Sequence, residues 1–558
     1  MKKLSLAFIF AFFSGASLLA QTPDWEWART AGSLTNDFCQ AIAIDTNGNV
    51  YTTGFGGGGL PFKFDTITIN TPYFFISKYS SSGDIQWAKG TTGGFDYAEG
   101  SAITTDILNN IIVTGRGAPG NITFGGINLI CNGLFMVKYR PNGTVVWSKN
   151  VASNLCYNAI TSDVTSDKSG NIFVTGYFYN DTLIIGNDTL YNPPVGGGSN
   201  SDVFVAKYDS LGNALWAVSA QGNNNDNGNS ISVDSLGNIY VTGFFSSSNV
   251  NFNGTNISSM GGDDIFIAKY NSTGIIQWVK RFGSSSSESG NSIKVDAAGN
   301  IYSCGAFWGP TTTFGNFTIN NPGTQQEASY IVKLDSIGNV IWARSVADNG
   351  DVGLRENTIC TDYACNLYVG GSFLDTVTIG NTTLIGKNGD IFVAKYDSSG
   401  NSLWVKTAKG VSLDYVGGVV VDRKNNLYVG GFYKSDTIIF RNAYLVNTDS
   451  FSEDLFLAKL ADSALAKVYE IESENSISIF PNPANTSIAI KLNKNLQEVS
   501  SLKIMNMNGE IVAQHPLLKN NYDAQQIDIS QLPNGIYVYS LFSNNKQLGK
   551  PGKLVVLH

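Results

Sequence analysis

His515 and His558 are the only imidazoles in the 558 residues, and both lie near the C-terminal end. The long stretch before them has no base for a Ser-His-Asp or Cys-His nucleophile and no imidazole for an ordinary zinc site. Carboxylate and thiol chemistry remains: oxygen-ligated calcium, acid pairs of the glycosidase kind, and six cysteines. DTNGN from Asp45 and NNNDNGN from Asn223 superficially fit calcium loops. Neither continues to the spaced bidentate Glu of an EF-hand, and an Asp or Asn oxygen taking an amide two residues on accounts for both as turns. No carboxylate pair stands out, and no G-x-S-x-G or phosphate loop appears. The sequence therefore assigns no catalytic residue, cofactor or metal, with calcium left open. Cys360 and Cys365 flank a D-Y-A turn and make a reasonable disulfide. Cys131 and Cys156 could meet among loops, and Cys304 reads as a buried thiol in a strand.

The scaffold that must hold such groups is β. The chain has 60 Gly, 32 Phe and 25 Tyr but only 14% charged residues, a pattern of short strands and tight turns. Net charge is −8, the pI is about 5.0, and no Lys/Arg block occurs, which argues against a nucleic-acid partner. Residues 1–20 start with Lys2 and Lys3, continue as an apolar run and end in small residues, as a secretory signal peptide does. Cleavage is expected after Ala20, leaving Gln21 first. No other segment is long and apolar enough for a transmembrane helix.

Between residues 21 and 460 one unit recurs seven times. D-x-x-G-N-x-Y-x-x-G starts at Asp45, Asp106, Asp167, Asp234, Asp296, Asp362 and Asp422, at steps of 60–67 residues. An aromatic-x-A-K-Y string follows each copy, with Lys78, Lys138, Lys207, Lys269, Lys333, Lys395 and Lys459. G-x-x-x-W then carries Trp87, Trp147, Trp216, Trp278, Trp342 and Trp404. Period-2 alternation makes each unit four antiparallel strands, that is, one blade of a seven-bladed propeller. No Trp follows Lys459; the seventh is Trp27, in DWEWARTAG at the other end. Unpaired edges are costly. Trp25 to Ala31 is therefore expected to pair beside Asp454 to Leu460, with Trp27 and Phe456 in the shared sheet that closes the ring.

Each strand-four Trp is read as filler of the gap between blades rather than a sugar platform. The repeated lysine is read either as a solvated head over an apolar stem or as an inter-blade ion pair with a turn Asp. Trp308, in AFWGPTTTF, breaks the pattern; it is either a surface contact or local packing. The connections from strand two to strand three are long, and each repeats a small hairpin, as in FDTITIN and DTVTIGNTTL. Seven such hairpins would form either a raised recognition rim or an elaboration of the outer edge. Residues 461–475 read as a polar linker, and 476–558 as a small Ig-like β-sandwich.

The C-terminal strings resemble the type A sorting domain of type IX secretion in Bacteroidetes. They are FPNP at 480–483, MNGEIV at 507–512, DISQLPNGIYVY at 528–539 and GKLVV at 552–556. This resemblance implies contact with the type IX secretion machinery, export to the cell surface or medium, removal of the domain near residues 461–474, and release or attachment to lipopolysaccharide. D-x-x-G-N-x-Y-V-T-G and F-V-A-K-Y are similar to the bacterial SBBP beta-propeller repeat, which implies fold and extracellular setting. D-S-x-G-N-x-x-W is also similar to the docking repeat of quinoprotein dehydrogenases, but eight blades and a calcium-bound quinone are not evident. Asp65 to Ile67, Asp181 to Leu183 and Asp436 to Ile438 are similar to the O-glycosylation sequon of that phylum. The leading expectation is an exported, non-catalytic propeller that binds protein or glycan. The alternative is a carbohydrate-active enzyme with a carboxylate pair on one propeller face.

Overall fold

The computed structural model describes residues 23–70, 73–92, 97–156, 158–192, 200–321, 327–349, 358–386, 389–449, 451–461, 478–480, 484–491, 501–506, 510–517, 525–543 and 546–556. The leader and cleavage site at Ala20–Gln21, and nearly all of the linker, lie outside the described residues. The chain divides into two compact units, Met1–Ala464 and Leu465–His558.

Each D-x-x-G-N string folds into the turn that its chemistry dictates. Asp234 Oδ1 accepts the amides of Leu236 (2.9 Å) and Asn238 (2.9 Å), and Gly237 takes φ 81°. The strands on either side, Asp226–Val233 and Ile239–Phe245, pair antiparallel, and Asp264–Tyr270 and Ile276–Phe282 complete a four-stranded sheet. Among the described residues seven sheets contain this meander, here blades 1 to 7 in chain order. Strand one of each blade packs against strand one of the next, and Asp414–Val421 of blade 7 packs on Phe38–Ile44 of blade 1, so the circuit closes.

Blade 7 takes its fourth strand from the other end of the chain. Asp24–Gly32 pairs antiparallel with Asp454–Ala461: Trp27 lies opposite Lys459, and Thr30 opposite Phe456. Trp25 and Trp27 are both buried there.

The strand-four Trp meets the next blade at a glycine. The turn before strand four puts Gly274 at φ 81°, and an added methyl would sit 2.9 Å from the Trp216 ring of the preceding blade. Gly83 stands in the same way against Trp27, which accounts for the G-x-x-x-W spacing. The same turn also offers one carbonyl to two donors. Lys78 Nζ and Trp87 Nε1 both donate to Pro141 O at 3.1 Å. Lys333 and Trp342 converge on Ser398 O, and Lys459 and Trp27 on Ser81 O. Lys138, Lys207 and Lys269 likewise reach Ser210 O, Ser272 O and Ser336 O. Several of these ammoniums also lie over the strand-two ring of their own blade, as Lys333 does 5.0 Å from Tyr302. Of the two readings of this lysine, the inter-blade ion pair gives way to a carbonyl latch. Among the described residues Lys138–Asp106 (2.9 Å) and Lys395–Asp362 (3.4 Å) join such a lysine to a turn Asp, and both lie within one blade.

The seven small hairpins form lateral braces. Each is anchored to the end of strand four of the preceding blade, as in Ala31 opposite Phe64, Thr91 opposite Phe124, and Ala220 opposite Phe252. Their alternate residues, such as Phe62 and Phe64 or Val377 and Ile379, are fully buried. This burial commits the hairpins to the outer edge rather than to a raised rim.

In the second unit, Ser478–Phe480, Ser487–Lys491 and Gln525–Asp528 form one sheet. Ile511–Pro516, Ser501–Met505, Gly535–Ser543 and Lys546–Val556 form another. Ile488, Ile490 and Ile527 from the first share a core with Leu502, Ile504 and Leu554 from the second.

Two predictions follow from the latch and the closure. Gly274→Ala should cost about 1–3 kcal/mol through backbone strain and collision with Trp216. Gly254→Ala should cost less, because Gly254 also has positive φ (97°) but nothing within 4 Å. Denaturant titration of the two variants measures the packing share as the difference. Trp27→Ala should cost about 3–5 kcal/mol and lower the unfolding midpoint of the whole propeller.

Candidate ligand site at the channel mouth

The strand-one segments enclose a central cavity of about 660 Å³. In six blades the described strand one carries a β-bulge, which places Gln40, Ser101, Ser162, Asn229, Asn291 and Gly417 at the same level of its wall. Among the described lining residues, one carboxylate, Asp163, and one cation, Lys294, carry charge. Asp163 is committed to structure. Its Oδ1 accepts Val164 N–H (2.8 Å), and its Oδ2 accepts Ser230 Oγ–H (2.7 Å) and Ile231 N–H (3.0 Å) of the next blade.

Where strand two ends, on the face opposite the Asp turns, the residue after its glycine varies around the ring: Phe55, Arg116, Tyr177, Phe244, Ala306, Ser372 and Phe432. On the side of blades 7, 1 and 2 these side chains link into an arc of rings. Tyr415 stacks on Phe432 at 5.0 Å, and Phe432 meets Phe38 edge-on at 4.9 Å. Phe38 adjoins Phe55 at 6.2 Å, and Phe55 adjoins Tyr97 at 5.6 Å. The Arg116 guanidinium lies 5.4 Å over the Tyr97 ring and ion-pairs with Glu99, which also accepts the Tyr97 hydroxyl. Burial, reinforced by Glu99, pushes the Tyr97 hydroxyl up to about 12, so it stays a neutral donor at physiological pH. On the far side Asn227, Ser289, Ala306 and Ser372 are small or polar. The mouth thus carries rings on one side and small or polar neutral residues on the other. Among the described residues, Asp163 and Glu99 are already held by donors.

The sequence singled out none of these rings, because they come from different strands of different units. The one local signal is the varied residue after the strand-two T-G or G-G. Trp308 is the last residue of Ile301–Trp308, half-buried and paired with Glu327, not a loop residue. Cys360 and Cys365 are separate thiols. The Cys360 side chain packs toward blade 7 with Val416 and Val419, whereas Cys365 turns toward Asp296 of blade 5, so the expected bridge is corrected. Cys131 and Cys156 are also thiols, near enough that a charge on Cys131 adds to the burial that raises Cys156. The calcium-like DTNGN turn is closed by its own donors. Asp45 accepts the Asn47 and Asn49 amides, the Asn49 side chain and the Tyr51 hydroxyl.

Two family models match the chain. The beta-propeller repeat matches residues 26–61 and 219–253, and the secretion system C-terminal sorting domain matches 478–556. The chain is 27% identical over 542 residues to an uncharacterised WD repeat-containing protein of Acanthamoeba polyphaga mimivirus; the match takes in 78% of this chain but 38% of that protein. Among solved structures it is similar to a protein of unknown function from Dyadobacter fermentans, with TM-score 0.35 and 9% identity over 79% of this chain and 99% of the other. It is also similar to a polysaccharide lyase of the ulvan lyase type, with TM-score 0.40 and 10% identity over 76% of this chain and 97% of the other. Likeness at that level has no bearing on activity. No helix among the described residues is long and apolar enough to cross a membrane. The chain is an all-β protein of beta-propeller repeats that carries a secretion system C-terminal sorting domain, the signal of export by type IX secretion.

Proposed function

We propose that this exported propeller is a non-catalytic binding protein that takes a glycan or a protein chain at the channel mouth. The sorting domain would deliver it and then be removed near residues 461–474, leaving the propeller released or attached to lipopolysaccharide. The observation that carries the binding reading is the aromatic arc from Tyr415 to Tyr97, capped by Arg116. Ring faces bind sugar rings or apolar side chains, while an Arg and neutral amides fix orientation. The enzyme alternative needs two free carboxyls at a set separation. Asp163 and Glu99 each have their oxygens occupied by structural donors.

A glycan array and a surface-protein pull-down with the purified chain test this. Tyr97→Ala should weaken the captured ligand about tenfold, the worth of one stacked ring. Gln277→Ala, on the exposed outer strand of blade 4, should leave binding unchanged. Turnover of a bound polysaccharide by the wild-type chain would refute the non-catalytic reading.

A further inference from the structure

A second contact recurs between blades, on the face opposite the Asp turns. Strand three opens with Asp202, Asp264, Asp390 and Asp454 in blades 3, 4, 6 and 7. At the start of strand one in the following blade stand Asp226, Glu288, Asp414 and Asp37. In all four cases the amide of the second acid donates to the carbonyl just before the first. Asp226 donates to Ser201 (2.7 Å), Glu288 to Asp263 (2.7 Å), Asp414 to Gly389 (2.9 Å) and Asp37 to Glu453 (2.7 Å). That bond brings two carboxyls from neighbouring blades near enough for the strand-three Asp to act on its partner's charge, and all eight are at most 1% exposed. Among the described residues the acids come as pairs or not at all. The same positions hold Tyr73 and Ala98 between blades 1 and 2, and Gly133 and Ala159 between blades 2 and 3.

A glycine lets the carboxyls approach. A methyl on Gly283 would stand 2.1 Å from Asp264 Oδ1 and 2.7 Å from Glu288 Oε2. Gly222 donates its amide to Asp202 (3.0 Å), while a methyl on it would meet Asp226 Oδ2 at 2.0 Å.

The two members of a pair differ in their partners. The strand-one acid is ringed by donors. Asp226 accepts the Ser246 and Ser247 amides and the Ser247 hydroxyl, and Asp414 the Lys434 and Ser435 amides and the Ser435 hydroxyl. Glu288 accepts the Ser284 amide and hydroxyl, and Asp37 those of Ser33 as well as the Gly57 amide. In three of the four pairs the strand-three acid leaves one buried oxygen without a donor: Asp202 Oδ2, Asp264 Oδ1 and Asp454 Oδ1. An anionic oxygen there would be buried with no hydrogen bond of its own, the donors Gly222, Met260 and Thr448 serving only the other oxygen. A proton on it makes the group a donor beside a carboxylate whose other lone pairs are filled.

We propose that the Asp202–Asp226, Asp264–Glu288 and Asp454–Asp37 junctions are proton-sharing carboxyl pairs, in which the strand-three Asp carries the proton and donates it to the strand-one carboxylate, clasping blade to blade until a rise in pH removes it. Burial pushes Asp37, Asp226, Glu288 and Asp414 up to about 7, and the charge of the paired Asp adds to the shift. Burial likewise pushes Asp202 up to about 7 and Asp454 to about 6, and raises Asp264. The other titratable groups that face them are Arg281 and Asp263 at Asp264, Asp449 at Asp454, Tyr330 at Glu288, and Tyr433 at Asp414 and Asp454. The folded chain binds protons here that the unfolded chain has released above ordinary carboxylate values. The added stability is therefore complete in acid and lost as pH rises through about 7.

Thermal unfolding of the full chain from about pH 5 to pH 9 tests this. The wild-type Tm should fall from about pH 5 to about 7 and level off above it. D202N/D264N/D454N, whose amides donate without a titrating proton, should flatten that fall and exceed wild type at the alkaline end. D226N, which places an amide where three donors converge, should lower Tm at every pH. In the infrared, wild type at pH 6 should show a protonated-carboxyl band that weakens in the triple variant. An unchanged pH slope in the triple variant would overturn the proposal. So would an absent band in wild type, a readout that stands even if the variant fails to fold. A Tm rise with stoichiometric calcium uptake at pH 7.5 would overturn it too, by making these cation sites.

Discussion

The pairing of Asp24–Gly32 with Asp454–Ala461 is the constraint on which the rest of the propeller depends. Six blades draw all four strands from one continuous stretch, but blade 7 is completed only when the two ends of the unit meet. Bringing residues this far apart together costs of order 5 kcal/mol in chain entropy. Burial of Trp25, Trp27, Ala28 and Ala31, together with the backbone ladder, offsets it. Without that strand, Ser81 O would lose both its donors, Trp27 and Lys459, and Phe64 its neighbour Ala31.

The same economy governs the other junctions. A turn that needs a glycine for its backbone also leaves a carbonyl facing the previous blade. The strand-three Lys and strand-four Trp of that blade satisfy it. Trp147 and Trp278 make no such indole bond, so there the lysine alone holds the carbonyl. Turn, lysine and tryptophan therefore form one device per junction. Their common period in the chain follows from the geometry of the ring.

How much of this is legible in the sequence depends on range. The strands, the Asp turns and the closure by Trp27 follow from local pattern and from one missing copy. The small hairpins are legible as elements, but where they attach depends on the preceding blade, and period alone does not show that. The lysine misled for the same reason: its partner is a backbone carbonyl about 60 residues on, which no residue type announces. Cys360 and Cys365 are close in sequence, yet their side chains leave the turn toward opposite neighbours. The aromatic arc was the least legible, because Phe38, Tyr97 and Tyr415 hold unlike positions in units that otherwise repeat. It breaks the seven-fold regularity, and irregularity on a regular scaffold is where recognition can be written.

The bulges in strand one carry a consequence of their own. Each inserts one residue at the same level, so the cavity wall is a ring of Gln40, Ser101, Ser162, Asn229, Asn291 and Gly417 with almost no charge. Such a lumen exerts little electrostatic pull on ions of either sign. A polymer threaded or capped at this opening would meet a neutral, hydrated bore, and its orientation would be decided at the rim before any of it entered.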